Sequence, residues 1–406
     1  MYEKRCWDVW ENLSRYKSED GFCFENFRND TIQSVFLTRG EVHIDFAIKN
    51  FDKLEGVSSR KILVGFNSAV SSRYEKGLTA PFFSFFGVSN ILGVPLVSVS
   101  DPSMALSENI SMGWYLGNDA LGSLPKKIAA LLDSIALHFD AELILIGGSC
   151  GGFAALKISE SLASAAKVVA WNPQMDISLY FKKHVEEYLD HCFYDFEYKG
   201  SDFLSSARYF LSSKGIDYKV NLKNINSDKE VYVFQNLTDW HMDVHFLPVF
   251  KSFSDNYFNP YNYVFIKDNV LFYLDNWGRG HSPFPQKNIL TVVRSLFDSK
   301  SMSSVVDHLD FLNIDDVDIS DRDVYLWYSS IEKNGDLYSI SSTHKDSLEL
   351  YYAFYFMSSK GVVKKIPYNR DSVGLFLNED DASEIYGYAF VRTLGGIRYT
   401  RPVFLK

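Results

Sequence analysis

Short apolar runs recur along the first three hundred residues, and their texture predicts how each is covered. Residues 41 to 48 (EVHIDFAI) alternate like a strand with one buried face. Residues 61 to 66 (KILVGF), 96 to 101 (LVSVSD), 143 to 146 (LILI) and 167 to 171 (KVVAW) are short apolar runs that suit strands covered on both faces, and the strand-and-helix rhythm resumes later with 231 to 235 (VYVFQ) and 262 to 266 (NYVFI). Between them the spacing turns helical. After Pro125, the residues Ile128, Leu131, Leu132, Ile135 and Phe139 recur at three and four and form one stripe. Ile289, Leu290, Val293, Leu296 and Phe297 mark a closing helix. Strands that alternate with helices predict an α/β unit with a mostly parallel sheet.

The rhythm breaks between residues 177 and 226, where aromatics and charges crowd together (YFKKHVEEYLDHCFYDFEYKG) without a central strand. This predicts a helical insertion or cap inside an α/β domain of residues 1 to 300. Residues 301 to 322 are polar and acidic and read as a linker. From 323 to 406 the segments 323 to 329, 349 to 357, 362 to 368, 373 to 377, 384 to 392 and 397 to 405 are short, rich in Tyr, Phe and Val, and separated by turn signals. They predict a small antiparallel β-sandwich of immunoglobulin-like kind.

Composition narrows the partners. Lysine and arginine number 41 against 51 acidic residues, a formal charge of −10, and no basic cluster offsets it. A broad nucleic-acid surface and attraction to anionic lipid are therefore not expected. Residues 77 to 100 carry no charge and are long enough to span a bilayer, but Pro81, Gly87, Gly93 and Pro95 interrupt them. A buried helix-loop-strand passage is the expectation. The N-terminus mixes charges with aromatics and does not resemble a secretory signal. Cys6, Cys23, Cys150 and Cys192 form no CxxC pair or disulfide framework. A reduced, cytoplasmic setting is the corresponding expectation.

The run Leu143 to Leu156 contains Gly147-Gly148-Ser149-Cys150-Gly151 between a strand and a helix. A sharp strand-to-helix turn tolerates only very small neighbours, strains its central residue and lifts that side chain above the sheet. Ser149 becomes the candidate nucleophile. The following helix turns its positive end towards a developing oxyanion, with the backbone N–H of Cys150 as one donor. The offset frame starting at Gly148 leaves Cys150 as an alternative nucleophile. A serine needs a base and the base an orienting carboxylate, in the chain order Ser, Asp or Glu, His for such a turn. Asp239, in the loop after VYVFQ, and His281, in Gly280-His281-Ser282-Pro283, supply that order. Asp176 and Asp243 are rivals for the carboxylate. His241 and His245 stand four apart with Asp243 between them, but no third ligand completes a metal site, and no metal or other cofactor is expected. Asn67 and Ser68, after KILVGF, are candidates for the second oxyanion donor. Arg73, Trp114, Tyr115 and Trp240 are candidates for substrate contact, with a solvated side chain the alternative for Arg73 and burial in the core the favoured alternative for Trp114 and Tyr115.

Four spaced pieces carry a resemblance: Asp101-Pro102 with Gly113-Trp114-Tyr115, then Gly147 to Gly152, then Asn236-Leu237-Thr238-Asp239-Trp240-His241, then Gly280 to Pro283. Residues 40 to 300 resemble bacterial α/β-hydrolase-fold proteins of capsule and surface-glycan gene clusters, and are similar to the acetyltransferase-like component of the accessory Sec system. The resemblance implies an α/β-hydrolase-like sheet with a helical cap and a triad of Ser149, Asp239 and His281. It also implies ester hydrolysis or acyl transfer on a carbohydrate or glycan precursor. A different class, a weakly active scaffold docking on a glycan-assembly complex through its β module, remains open.

Overall fold

The computed structural model describes residues 13–37, 42–198, 202–236, 239–254, 264–275, 277–278, 280–307, 309, 328–343, 350–358, 361–377, 385–393 and 398–403. The chain divides into two compact units, Met1–Asp255 with Val264–Leu309, and Asn256–Tyr263 with Asp310–Lys406.

In the first unit the main-sheet strands are β1 (Ser14–Glu19), β2 (Thr31–Phe36), β3 (His43–Lys49), β4 (Arg60–Phe66) and β5 (Leu96–Val99). A two-residue ladder, β6 (Gly117–Asn118) with β7 (Gly122–Ser123), stands apart. The sheet continues with β8 (Ala141–Gly148), β9 (Ala166–Trp171), β10 (Glu230–Asn236), β11 (Val264–Lys267) and β12 (Val270–Asp275). The order across it is β1-β2-β3-β5-β4-β8-β9-β10-β12-β11. From β5 to β12 every pairing is parallel. These are the non-alternating runs, and Ile62, Leu63, Val64, Leu143 to Ile146, Val168 and Val231 to Phe234 are buried. Helices cover both faces of such a sheet. Pro125–Phe139 buries Ile128, Leu131, Leu132 and Ile135 against it.

Three sequence expectations need correction. Of the run 262 to 266, residues 262 and 263 lie outside the described residues and the rest belongs to β11, an antiparallel edge and not the next parallel strand; the strand beside β10 is β12. A tight turn at Asp268 (φ 53°) folds the two together as a hairpin. Residues 14–19 and 31–36, unassigned from the sequence, add β1 and β2, with β1 mostly exposed and polar. The proposed linker begins as the helix Met302–Asp307, because Val305 and Val306 are buried. Residues 308 and 310–322 of that linker lie outside the described residues, as do 323–327 of the first segment beyond it.

Between β9 and β10 the described residues form the helices Lys182–Cys192 and Phe203–Ser213. The uncharged stretch 77 to 100 holds a seven-residue helix, Phe86–Leu92, and then β5. Among the described residues no helix is long and apolar enough to cross a membrane.

The second unit contains β13 (Tyr328–Asn334), β14 (Leu337–Thr343), β15 (Leu350–Ser358), β16 (Gly361–Asn369), β17 (Val373–Leu377), β18 (Tyr386–Thr393) and β19 (Arg398–Val403). They form two antiparallel sheets, β13-β14-β17 and β16-β15-β18-β19. Ile331, Ile340, Phe354, Phe356 and Ala389 are among the residues that fill the core between them. The pair of sheets sharing one core is a small β-sandwich.

Candidate active site

Ser149, Asp239 and His281 come from three different places in the sequence, and each follows the C-terminal end of a parallel strand: β8, β10 and β12. Residues there face the crevice where open parallel sheets hold their ligands. Ser149 sits at φ 52° and ψ −119°, a backbone that L-residues occupy only under strain. The glycines around it are required by close approach. A side chain on Gly147 would strike the Gly151 carbonyl, and one on Gly148 the Trp171 indole. The helix Cys150–Ser159 starts immediately behind the serine and directs its positive end to that point.

The three side chains meet. His281 Nδ1 lies 2.6 Å from Asp239 Oδ2, and His281 Nε2 lies 3.1 Å from Ser149 Oγ. A carboxylate only accepts, so Nδ1 carries the proton and Nε2 is left to accept from the serine hydroxyl. Asp239 is 2% exposed, and its other oxygen accepts the His241 backbone N–H at 3.0 Å. No motif or spacing marks the side chains that hold these loops together. Asn236 Nδ2 donates to the Gly278 and Gly280 carbonyls at 2.9 and 2.8 Å, tying the histidine loop to the end of β10. Asn172, at φ 42°, donates to the Ser282 carbonyl at 2.9 Å and accepts the Asn236 N–H at 2.8 Å.

The rivals have other work or lie elsewhere. Asp176 accepts the Ser178 N–H at 3.0 Å and an Arg208 guanidinium at 3.2 Å. The side chain of Asp243 lies outside the described residues. Cys150 is buried at 2% exposure, and burial pushes its thiol up to about 12, so it stays protonated beside the serine.

The oxyanion candidates divide. Asn67 is ruled out as a backbone donor, because its N–H is spent on the Tyr115 hydroxyl at 2.7 Å. The next backbone amide but one, that of Ala69, faces the Cys150 thiol. Ser68 pins the loop to the turn by donating its hydroxyl to the Gly148 carbonyl at 2.9 Å, and it lines the cleft.

The substrate-contact candidates also change. Trp114 and Tyr115 are 1% and 2% exposed, so they are core residues and not a stacking wall. The Tyr115 hydroxyl donates a hydrogen bond to the Val99 carbonyl at 3.0 Å, and the Tyr115 N–H donates to Asp101 Oδ2 at 2.7 Å. Burial raises the Asp101 carboxyl to about 6, opposed by the N–H groups of Tyr115, Ser103 and Gly113. Arg73 borders the cleft, yet it is 3% exposed and donates to the Met104 and Ile110 carbonyls at 2.7 and 3.0 Å, so it braces the wall. Trp240 packs behind Tyr180 (5.5 Å between ring centroids), and Tyr180 is the residue that lines the cleft. The cleft has a volume of about 600 Å³ and includes Ser149 and His281. Ser71, Ser72, Ser111, Lys183 and Glu187 give it a polar wall, the last two from the insertion helix Lys182–Cys192.

Asp239, His241 and His281 offer ligand atoms within 4.8 Å of one another. Two ligands of one tetrahedral zinc stand roughly 3.3 Å apart, given bonds of about 2.0 Å. The 2.6 Å between His281 and Asp239 is a hydrogen bond, and His241 Nδ1 already donates to the Asn172 carbonyl at 2.8 Å. The geometry favours a proton relay over a metal centre. Behind His281 lie two buried imidazoles, His241 and His245, with ring centroids 4.8 Å apart. Burial drives His241 down to about 3 against the opposing pull of Asp239, and drives His245 down to about 4 with help from the charge of His281. In the unfolded chain both return to about 6.5, so the unfolded state binds more protons below that pH. Their contribution to stability is complete above pH 6.5 and is lost progressively towards pH 3 to 4. Denaturant unfolding measured between pH 7 and 5 is expected to show stability falling by up to about 1.4 kcal/mol per pH unit for each histidine. A His245→Phe protein should show a shallower fall.

No protein-family model and no curated protein matches the chain. Among solved structures it is similar to acetyl xylan esterase 1 from Thermoanaerobacterium sp. JW/SL YS485, at 15% identity over 64% of this chain and 79% of that one, with a TM-score of 0.39. It is also similar to an acetyl xylan esterase from Paenibacillus sp. R4, at 12% identity over 72% and 99% of the two chains, with a TM-score of 0.36. The acylaminoacyl peptidase of Pyrococcus horikoshii matches at 11% identity over 72% of this chain and 44% of that one, with a TM-score of 0.41. The larger unit has an α/β-hydrolase-like fold. Its parallel strand order, strained serine turn and helical insertion after β9 are the features that define it here.

Proposed function

We propose that the protein is a serine esterase or O-acyltransferase that works through an acyl-enzyme on a carbohydrate or glycan precursor of the bacterial surface. One observation carries the reading: His281 bridges Ser149 Oγ and Asp239 through its two ring nitrogens, at 3.1 and 2.6 Å. In the first half-reaction Ser149 Oγ bonds to the ester carbonyl carbon while its proton passes to His281 Nε2. The backbone N–H groups of Cys150 and Ser68 hold the oxyanion. The carbon–alkoxide bond then breaks and the departing oxygen takes the proton from His281. In the second half-reaction water or a sugar hydroxyl gives its proton to His281 and attacks the acyl carbon, and Ser149 leaves with the proton returned.

Asp239 holds the imidazole in the required tautomer and offsets its charge when protonated. A cleft walled by serine hydroxyls and charged groups supports a polyhydroxylated substrate with a short acyl group over a long apolar chain. The test is labelling by a fluorophosphonate, with the modified peptide identified by mass spectrometry. The expected adduct is on Ser149; no adduct, or an adduct on another residue, overturns the reading. Adding sugar acceptors to a 4-nitrophenyl acetate assay then separates hydrolysis from transfer by the product formed.

The oxyanion loop makes a further prediction. Tyr115→Phe removes the acceptor of the Asn67 N–H and leaves the Val99 carbonyl short of a donor. It is expected to lower kcat about tenfold through a displaced oxyanion donor, with little change in KM. The orphaned buried groups should also cost about 1–3 kcal/mol. Steady-state kinetics and thermal unfolding check the two effects.

A further inference from the structure

We infer that Gln174 is a fourth catalytic side chain: its amide donates to Ser149 Oγ, and the Trp114 indole holds the amide in the orientation that allows this. The inference rests on Ser149 being the nucleophile proposed above, and it assigns a role to two residues outside the triad.

Gln174 follows β9 in the turn Trp171-Asn172-Pro173-Gln174, and it is fully buried. Its backbone N–H reaches the Ser149 carbonyl at 3.3 Å, and its side-chain Nε2 lies 3.2 Å from Ser149 Oγ. Its Oε1 accepts the Trp114 Nε1–H. The two ends of a glutamine amide are alike in shape, and only their partners tell them apart. An indole N–H can only donate, so the carbonyl end must face Trp114 and the NH₂ end must face the serine. Trp114 is itself held in place: it is 1% exposed, sits at φ 55°, and packs edge-on against Tyr188 with ring centroids 5.5 Å apart.

The consequence for Ser149 is geometric. Its oxygen accepts from Gln174 with one lone pair, so its hydrogen is directed to His281 Nε2 at 3.1 Å. The second lone pair is left for attack on the carbonyl carbon. A free hydroxyl would rotate among orientations, whereas this one is set in the productive one. As the proton moves to His281, the Gln174 N–H faces the negative charge gathering on Oγ. It does so again in the second half-reaction, when the acyl carbon–Oγ bond breaks, Oγ takes the electron pair, and His281 returns the proton.

The experiment measures the second-order rate of phosphonylation by a small fluorophosphonate from pH 5.5 to 8.5, with a thermal melt of each variant. Loss of one donor to a reacting oxygen is expected to slow labelling of Gln174→Met by about 10- to 100-fold, somewhat less than the loss of an oxyanion donor. Trp114→Phe should slow it by a smaller factor, and should add nothing in the Gln174→Met background, because both act through one hydrogen bond. Gln174→Glu keeps the size of the side chain. Its rate relative to wild type should rise as pH falls, since a protonated carboxyl can donate to Oγ again while a carboxylate cannot. A residue that merely fills space would show no such pH-dependent ratio. A Gln174→Met protein that folds and labels within twofold of wild type overturns the inference while leaving the nucleophile intact. If Gln174→Met fails to fold, a flat Gln174→Glu ratio overturns it instead. A wild-type protein that takes no label overturns both the nucleophile and the role of Gln174.

Discussion

Ser149→Ala is expected to lower kcat towards 4-nitrophenyl acetate by about 10⁶ and to abolish fluorophosphonate labelling, while leaving the melting temperature close to that of wild type. The magnitude is that for removing the nucleophile of a triad acting as a unit. The fold should tolerate the change because alanine keeps the Cβ, and the main-chain bonds of the turn, Ser149 N–H to Trp171 O and Phe153 N–H to Ser149 O, do not involve the hydroxyl. Relief of one buried donor, the Gln174 amide, from its partner is the principal cost. Equal activity in Ser149→Ala and wild type would leave the α/β unit without the proposed chemistry. The scaffold reading would then stand in its place.

Asp239→Asn is the second large effect, with kcat falling by about 10⁴ at neutral pH. Asp239 Oδ2 accepts the Nδ1 proton of His281, and an amide NH₂ placed there would favour the tautomer with its proton on Nε2. That tautomer cannot accept from Ser149. Asparagine retains an oxygen for the His241 N–H, now made by Oδ1 at 3.0 Å, so the amide would settle with its NH₂ towards His281. A pH–rate profile tests the point: the variant should regain part of its activity at alkaline pH, where hydroxide substitutes for the missing base. A drop of less than tenfold would place the carboxylate elsewhere.

The meeting of Ser149, Asp239 and His281 was legible because each leaves a local signature. A strained turn demands tiny neighbours, and Gly147, Gly148 and Gly151 sit where any side chain would collide with backbone or indole. Asp239 and His281 lie in loops at the ends of apolar runs, in an order that one chain topology allows. The central sheet was legible for a similar reason, since doubly covered strands must be apolar throughout. What escaped was either polar or non-local. β1, SRYKSE, is an exposed edge with no apolar signal, and β12 was hidden by its neighbour. There the Asp268-Asn269 pair between two apolar runs was the available cue for a hairpin. Trp114 and Tyr115 stayed ambiguous because aromatics between glycines suit an open wall and a buried core alike. Nothing in the sequence shows that both take left-handed backbone angles and turn inward. Gln174, Asn172 and Asn236 act through partners dozens of residues away, and no periodicity reports such contacts.

The insertion after β9 is riveted to the body of the domain. The Tyr188 hydroxyl donates to the Gly117 carbonyl at 2.7 Å, and the Cys192 carbonyl accepts the Asp119 N–H at 2.9 Å. Val185, Tyr188 and Leu189 are wholly buried. Lifting this helix would tear out the residue that backs Trp114, so traffic to and from the cleft must use a standing doorway. Turnover should then be insensitive to solvent viscosity wherever bond-making is slow, unlike that of enzymes whose lids swing with each cycle.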